Sequence, residues 1–139
     1  FFMYIADNSR NKFINLRNHN YLDSFLIGLV QAFAIIPGVS RSGVTISMAF
    51  LFGWERKDAA KFSFLLGIPS ISLAAIVQLF FSLNQFANFS FFPLIIGLIS
   101  TFLSSLLAID FLIKYIAKRG MKIFIYYRII FGILILLNL

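Results

Sequence analysis

The segment Pro37-Gly38-Val39-Ser40-Arg41-Ser42-Gly43-Val44-Thr45 gathers residue types that bind an anion, and Arg41 is the only charged residue between Ser24 and Trp54. The guanidinium is a permanent cation whose planar fork suits two-point contact with phosphate oxygens. The hydroxyls of Ser40, Ser42 and Thr45 can donate to phosphate or, with a base nearby, act as nucleophile. Pro37 ends a preceding helix, because it lacks a donor and its ring clashes with the turn before it. Gly38 and Gly43 permit backbone shapes and close approaches that a side chain would block. Ser40 or Ser42 can cap a helix starting here, whose free N–H groups and partial positive charge form an anion site. Thr45 lies one helical turn beyond Arg41, so both are expected to face the same pocket.

Other residues carry plainer readings. Ser42 serves a packing role as readily as a binding one, since small residues enrich membrane interfaces, and Ser63, Ser70 and Ser72 read as packing. His19 lies in a polar loop with no partner motif and reads as solvated. Arg128 sits a little inside an apolar run, where snorkelling to the interface is the favoured reading. The phenylalanines face lipid or core, and no cofactor box is implied.

The elements that must hold this segment are membrane elements. Sixty per cent of the 139 residues are hydrophobic and 12% charged, too few charges to cover a soluble domain of this size. No charge occurs from Phe62 to Ile109. Backbone groups in lipid must be satisfied within the segment, which makes such runs spanning helices. The net charge of +7 does not indicate nucleic-acid binding. The basic residues fall in three short connectors, Arg10 to Arg17, Arg56 to Lys61 and Lys114 to Lys122, as cytoplasmic loops do. With no cysteine, disulfide and thiolate chemistry are excluded. Phe1 to Ala6 is no signal peptide and reads as the end of a helix, so the chain is expected to be a piece of a longer one.

Along the chain, residues 1–20 read as a helix end and a cytoplasmic loop. Tyr21 to Ile36 and Val44 to Trp54 are apolar helical runs, each reaching roughly 20 Å, short of the ~30 Å hydrocarbon core. One continuous helix from Ser24 to Trp54 would reach about 46 Å and put basic loops on opposite faces. A re-entrant helix-turn-helix over 21–54, entering and leaving on one side, fits both observations. Non-helical backbone at that depth requires surrounding protein or water. An Arg there costs on the order of 2.5–3.5 kcal/mol, which speaks against an idle Arg41. An ion pair with an acidic group elsewhere is the plainer alternative. Three spans follow at 62–83, 92–113 and 123–139, with an uncharged loop at 84–90 and an Asp110–Lys114 i,i+4 pair near the interface. The whole is an all-α integral membrane domain, half of an expected inverted repeat.

The run "GLVQAFAIIPGVSRSG" from Gly28 to Gly43, followed by Thr45, resembles the undecaprenyl-diphosphate phosphatases, the bacitracin-resistance family of bacterial inner membranes. "AAKFSFLLGIPS" from Ala59, "IIGL" from Ile95 and "YYRIIFG" from Tyr126 look like the same family in the same order. The resemblance covers essentially the whole chain. It implies hydrolysis of a polyprenyl diphosphate to the monophosphate carrier of cell-wall synthesis. On it, Arg41 clamps the diphosphate and stabilises developing charge while Ser40 and Thr45 orient phosphate oxygens. Gly38, Ser42 and Gly43 would complete the binding site. The family's glutamate-rich motif, with its nearby Ser and His, has no counterpart here. The chain therefore looks like the C-terminal half, with nucleophile and acid/base expected in an N-terminal half. The resemblance also implies help from a divalent cation, Mg²⁺ or Ca²⁺, although no carboxylate cluster here would hold one. A lipid-phosphate transporter or flippase is the rival reading, on the architecture of half-helices and inverted repeats.

Overall fold

The computed structural model describes residues 2–8, 13–82 and 91–137. Its helices are α1 (Phe2–Asp7), α2 (Tyr21–Val30), α3 (Arg41–Leu51), α4 (Arg56–Ser82), α5 (Phe91–Arg119) and α6 (Lys122–Leu137). The described residues form no β-strand; the one isolated bridge pairs Ile14 with Trp54.

The first apolar run is α2, capped by the Asn20 side chain on the Leu22 N–H, and then a tighter 3-10 stretch over Gln31–Ile35. Reversal follows at once. The Val39 N–H donates to the Ile36 carbonyl at 3.1 Å across Pro37 and Gly38, and Gly38 takes φ +86°. That is the pattern of a type II turn, which pre-sets proline at its second position and admits glycine at its third. The second run starts at Arg41, three residues before the expected Val44, because the Ser40 hydroxyl accepts the Gly43 N–H and begins the helix there.

α3 is the hub and packs on α1, α2 and α4. It buries Gly43, Thr45, Ser47 and Ala49, small residues that let helices approach closely, together with Ile46 and Phe50. A set of backbone bonds gathers the loops at one end. The Phe13 and Ile14 N–H groups donate to the Gly53 carbonyl, and the Glu55 N–H donates to the Ile14 carbonyl. The Asp58 carboxylate accepts from the Leu16 N–H. Fully buried Trp54 closes this end between the rings of His19 and Phe62. His19, expected to be solvated, is half-buried with Nδ1 2.8 Å from the Leu16 carbonyl oxygen.

Two further boundaries differ from expectation. The basic runs at 56–61 and 114–119 are helical, and α5 continues to Arg119 before a turn at Gly120–Met121. Lys118 and Arg119 in its last turn suit the negative end of the helix dipole. The Asp110–Lys114 pair forms, at 2.6 Å. Asp7, assigned to the loop, ends α1 and is buried. The expected loop at 84–90 and the last two residues of the 123–139 span lie outside the described residues.

α4 and α5, with 27 and 29 residues, are long and apolar enough to cross a membrane. Only 6% and 0% of their most apolar windows are buried, the reverse of a core helix in a soluble protein.

Candidate functional site

The start of α3 is the site's scaffold, and its two sides are built differently. Toward α4 runs a polar seam. Arg41 Nη1 donates to Ser70 Oγ at 2.7 Å and to the Gly67 carbonyl at 3.3 Å, and Ser70 Oγ itself donates to that carbonyl at 3.0 Å. A Cβ on Gly67 would stand 2.7 Å from Arg41 Nη2, so the guanidinium sits against bare backbone that only glycine leaves open. Pro69, inside α4, removes the N–H that would have met the Leu65 carbonyl. One turn deeper, Thr45 Oγ1 lies 2.6 Å from Ser63 Oγ and donates back to the Arg41 and Ser42 carbonyls. Residues 41 and 45 on α3 therefore meet 63, 67 and 70 on α4, both sets at helical spacing.

Toward α1, α5 and α6 the same helix start opens on a pocket of about 170 Å³. Ser40, Ser42, Gly43 and Arg128 give it a polar wall, and Ile46, Ile116 and Phe124 are part of its apolar one. Gly43 allows tight closure beside it: a Cβ there would stand 3.0 Å from that of Ser40 and 3.3 Å from Met3 Sδ. Arg128 Nη2 donates to the Gly38 carbonyl at 3.0 Å, joining α6 to the turn across ninety residues of sequence.

These positions sort the expected site residues. Ser40, Ser42 and Gly43 line the pocket, and Gly38 forms the turn beside it. Arg41 and Thr45 share a side, as expected, but that side is α4 and not the pocket. Thr45 is 1% exposed, with its hydroxyl engaged by Ser63 and by the Arg41 and Ser42 carbonyls of the first turn of α3. Three residues gain roles that local sequence reading missed. Ser63 and Ser70, read as packing, bond Thr45 and Arg41, and Arg128, read as snorkelling, reaches the turn. An arginine without an acidic neighbour inside an apolar run was the available signal for Arg128.

The pocket lining contains neither carboxylate nor histidine among the described residues. Among the described residues no group of three His, Cys, Asp or Glu side chains could hold a metal ion. The divalent cation expected from resemblance does not fit these residues. What the arrangement offers is anion binding: a capped helix start, two hydroxyls and two guanidiniums on separate flanks.

The family model described as "Bacitracin resistance protein BacA" matches residues 1–134. A protein of Prochlorococcus marinus strain MIT 9515 named undecaprenyl-diphosphatase is 71% identical over 137 residues, covering 99% of this chain and 52% of that protein. The same name is carried by a relative from strain AS9601, 70% identical over 100% of this chain and 51% of its own length. A more distant one, from strain SARG, is 48% identical over 95% of this chain. The chain spans about half the length of these curated relatives. No solved structure matches.

Proposed function

Because the chain belongs to the bacitracin resistance protein BacA family and carries two long apolar helices of a membrane protein, we propose that it forms the C-terminal half of a membrane-embedded undecaprenyl-diphosphate phosphatase. Its relatives carry the name of that activity. The observation that carries the reading is the pair of guanidiniums on either flank of the capped turn, Arg41 tied to α4 and Arg128 tied to the Gly38 carbonyl.

Hydrolysis of the terminal phosphoanhydride converts undecaprenyl diphosphate and water into undecaprenyl phosphate and inorganic phosphate. Positioning and charge stabilisation supply most of the catalysis in such transfers. With Nη1 held by α4, the Nε and Nη2 edge of Arg41 is the fork offered to two phosphate oxygens. That edge makes no other hydrogen bond among the described residues. Arg128, swinging from the Gly38 carbonyl, would neutralise the second phosphate. The Ser40 and Ser42 hydroxyls would donate to bridging or terminal oxygens, and the apolar pocket wall would receive the start of the prenyl chain. Nucleophile, general acid and any ligands for a divalent ion are assigned to the other half of the relatives' length.

The same reading sets the topology. The helix pair over 21–54 dips into the membrane of a bacterial cell and returns, followed by spans in α4, α5 and α6. It is supported by the convergence of Asp7, the 13–20 loop, the 53–58 connector and the 120–121 turn at one end. A pseudo-symmetric other half would complete the fold.

The complete protein in detergent should release inorganic phosphate from undecaprenyl diphosphate. A protein that moves the lipid across vesicles without releasing phosphate would be a transporter, and the reading would fall. Impermeant labelling of cysteines placed at Lys57 and Lys118 should mark both on the cytoplasmic face; marks on opposite faces would overturn the dip.

A further inference from the structure

Asp7 is 3% exposed, a buried carboxylate at the end of the short helix α1, and nothing in the reaction described above uses it. Its two oxygens hold two different elements. Oδ1 accepts from Arg56 Nη2 at 3.1 Å, at the start of α4. Oδ2 accepts from the Met121 N–H at 3.1 Å, at the start of α6. The Phe124 and Ile125 N–H groups both donate to the Met121 carbonyl, so Met121 is the first residue of the α6 hydrogen-bond ladder. The carboxylate thus caps a helix whose own sequence supplies no capping side chain at that position. Negative charge at a helix start is also favourable on dipole grounds. Gly120 makes room for it: a Cβ there would stand 2.6 Å from both Asp7 oxygens, and its φ of +71° disfavours a side chain independently.

Seven residues along from Met121, two turns and about 10 Å of helix, is Arg128. Positions 121, 124 and 128 share a helix face, and all three line the pocket at the start of α3. We propose that Asp7 is a positioning residue for substrate binding. By holding Met121 against Arg56, it sets the depth and rotation of α6 so that Arg128 stands at the Gly38 carbonyl and meets the diphosphate. The inference rests on the proposed phosphate-binding role of Arg128.

A double-mutant cycle in the complete protein tests it. Arg128→Gln should raise KM for undecaprenyl diphosphate at least tenfold. Asp7→Asn removes the charge and one of the two acceptor oxygens that hold Arg56 and Met121, and should raise KM several-fold with a smaller change in kcat. In the Arg128→Gln background Asp7→Asn should then add no further increase. Multiplying effects would mean that Asp7 acts independently of Arg128 and would overturn the proposal. Gly120→Ala, which disturbs the same junction from the other side, should repeat the pattern if Asp7→Asn fails to fold.

A second readout needs no activity. This chain has no cysteine, so with any others in the protein replaced, cysteines at Val39 and Ile129, next in sequence to the bonded Gly38 and Arg128, should be joined by a short bis-maleimide. The yield should fall in Asp7→Asn and in Gly120→Ala, and an unchanged yield would refute the positioning role. Arg128→Gln kinetics that match wild type would instead remove the phosphate-binding role of Arg128, leaving the placement of α6 to be judged by cross-linking alone.

Discussion

On the side of α3 that meets α4, Arg41, Thr45, Ser63 and Ser70 bond one another and nearby carbonyls, whereas the side toward α6 sets Ser40, Ser42 and Arg128 around an open pocket. Both sides carry a guanidinium and serine hydroxyls. They differ in what surrounds those groups. On the α4 side the partners are protein, which fixes Arg41 through Nη1 and leaves the other edge of its fork without a hydrogen bond among the described residues. On the α6 side the polar groups border apolar residues, an arrangement suited to a lipid with an anionic head. Rigidity on one flank and room on the other is what a binding site for a charged amphiphile requires.

The comparison yields predictions of decreasing size. Arg41→Ala should lower phosphate release by roughly 10²–10³-fold, the scale of losing one preorganised charge-stabilising group. Its effect on thermal stability should be small, and a large fall in Tm with proportionate activity loss would make Arg41 a structural pin instead. Arg128→Gln removes a charged contact worth about 1.5–3 kcal/mol, so kcat/KM should drop roughly ten- to a hundredfold. A drop as steep as that of Arg41→Ala would erase the asymmetry between the flanks. Thr45→Val strands the buried Ser63 hydroxyl and should cost about 1–3 kcal/mol in denaturant unfolding, with Thr45→Ser restoring most of it. Equal activity losses in both variants at unchanged stability would return Thr45 to direct phosphate contact. Ser42→Ala is the smallest. A change in KM of about threefold marks a hydroxyl that touches phosphate through one neutral hydrogen bond, and no change marks a packing residue.

Residues readable from sequence were those with local determinants. The Pro37–Gly38 turn, the Ser40 cap and the Asp110–Lys114 pair each depend on neighbours within four positions. The apolar lengths of α4 and α5 were equally plain, since lipid rewards composition and not pairing. What escaped was set by helix rotation and distant partners. Thr45 and Arg41 share a helix face, but sequence does not say whether that face meets a pocket or another helix. Ser70 is 29 residues from Arg41, Gly38 is 90 from Arg128, and Met121 is 114 from Asp7. Asp7 was misplaced because its chain neighbours Asn8, Ser9 and Arg10 are polar, which hid that its own side chain is buried.

The central claim is that the start of α3 receives the diphosphate through the fork of Arg41. Its most direct test is the affinity of the complete protein for a non-hydrolysable methylene-bridged prenyl diphosphonate, compared between wild type and Arg41→Lys. Lysine keeps the charge but not the planar fork. The account predicts binding at least tenfold weaker in Arg41→Lys at unchanged thermal stability; equal affinity in the two proteins would contradict it.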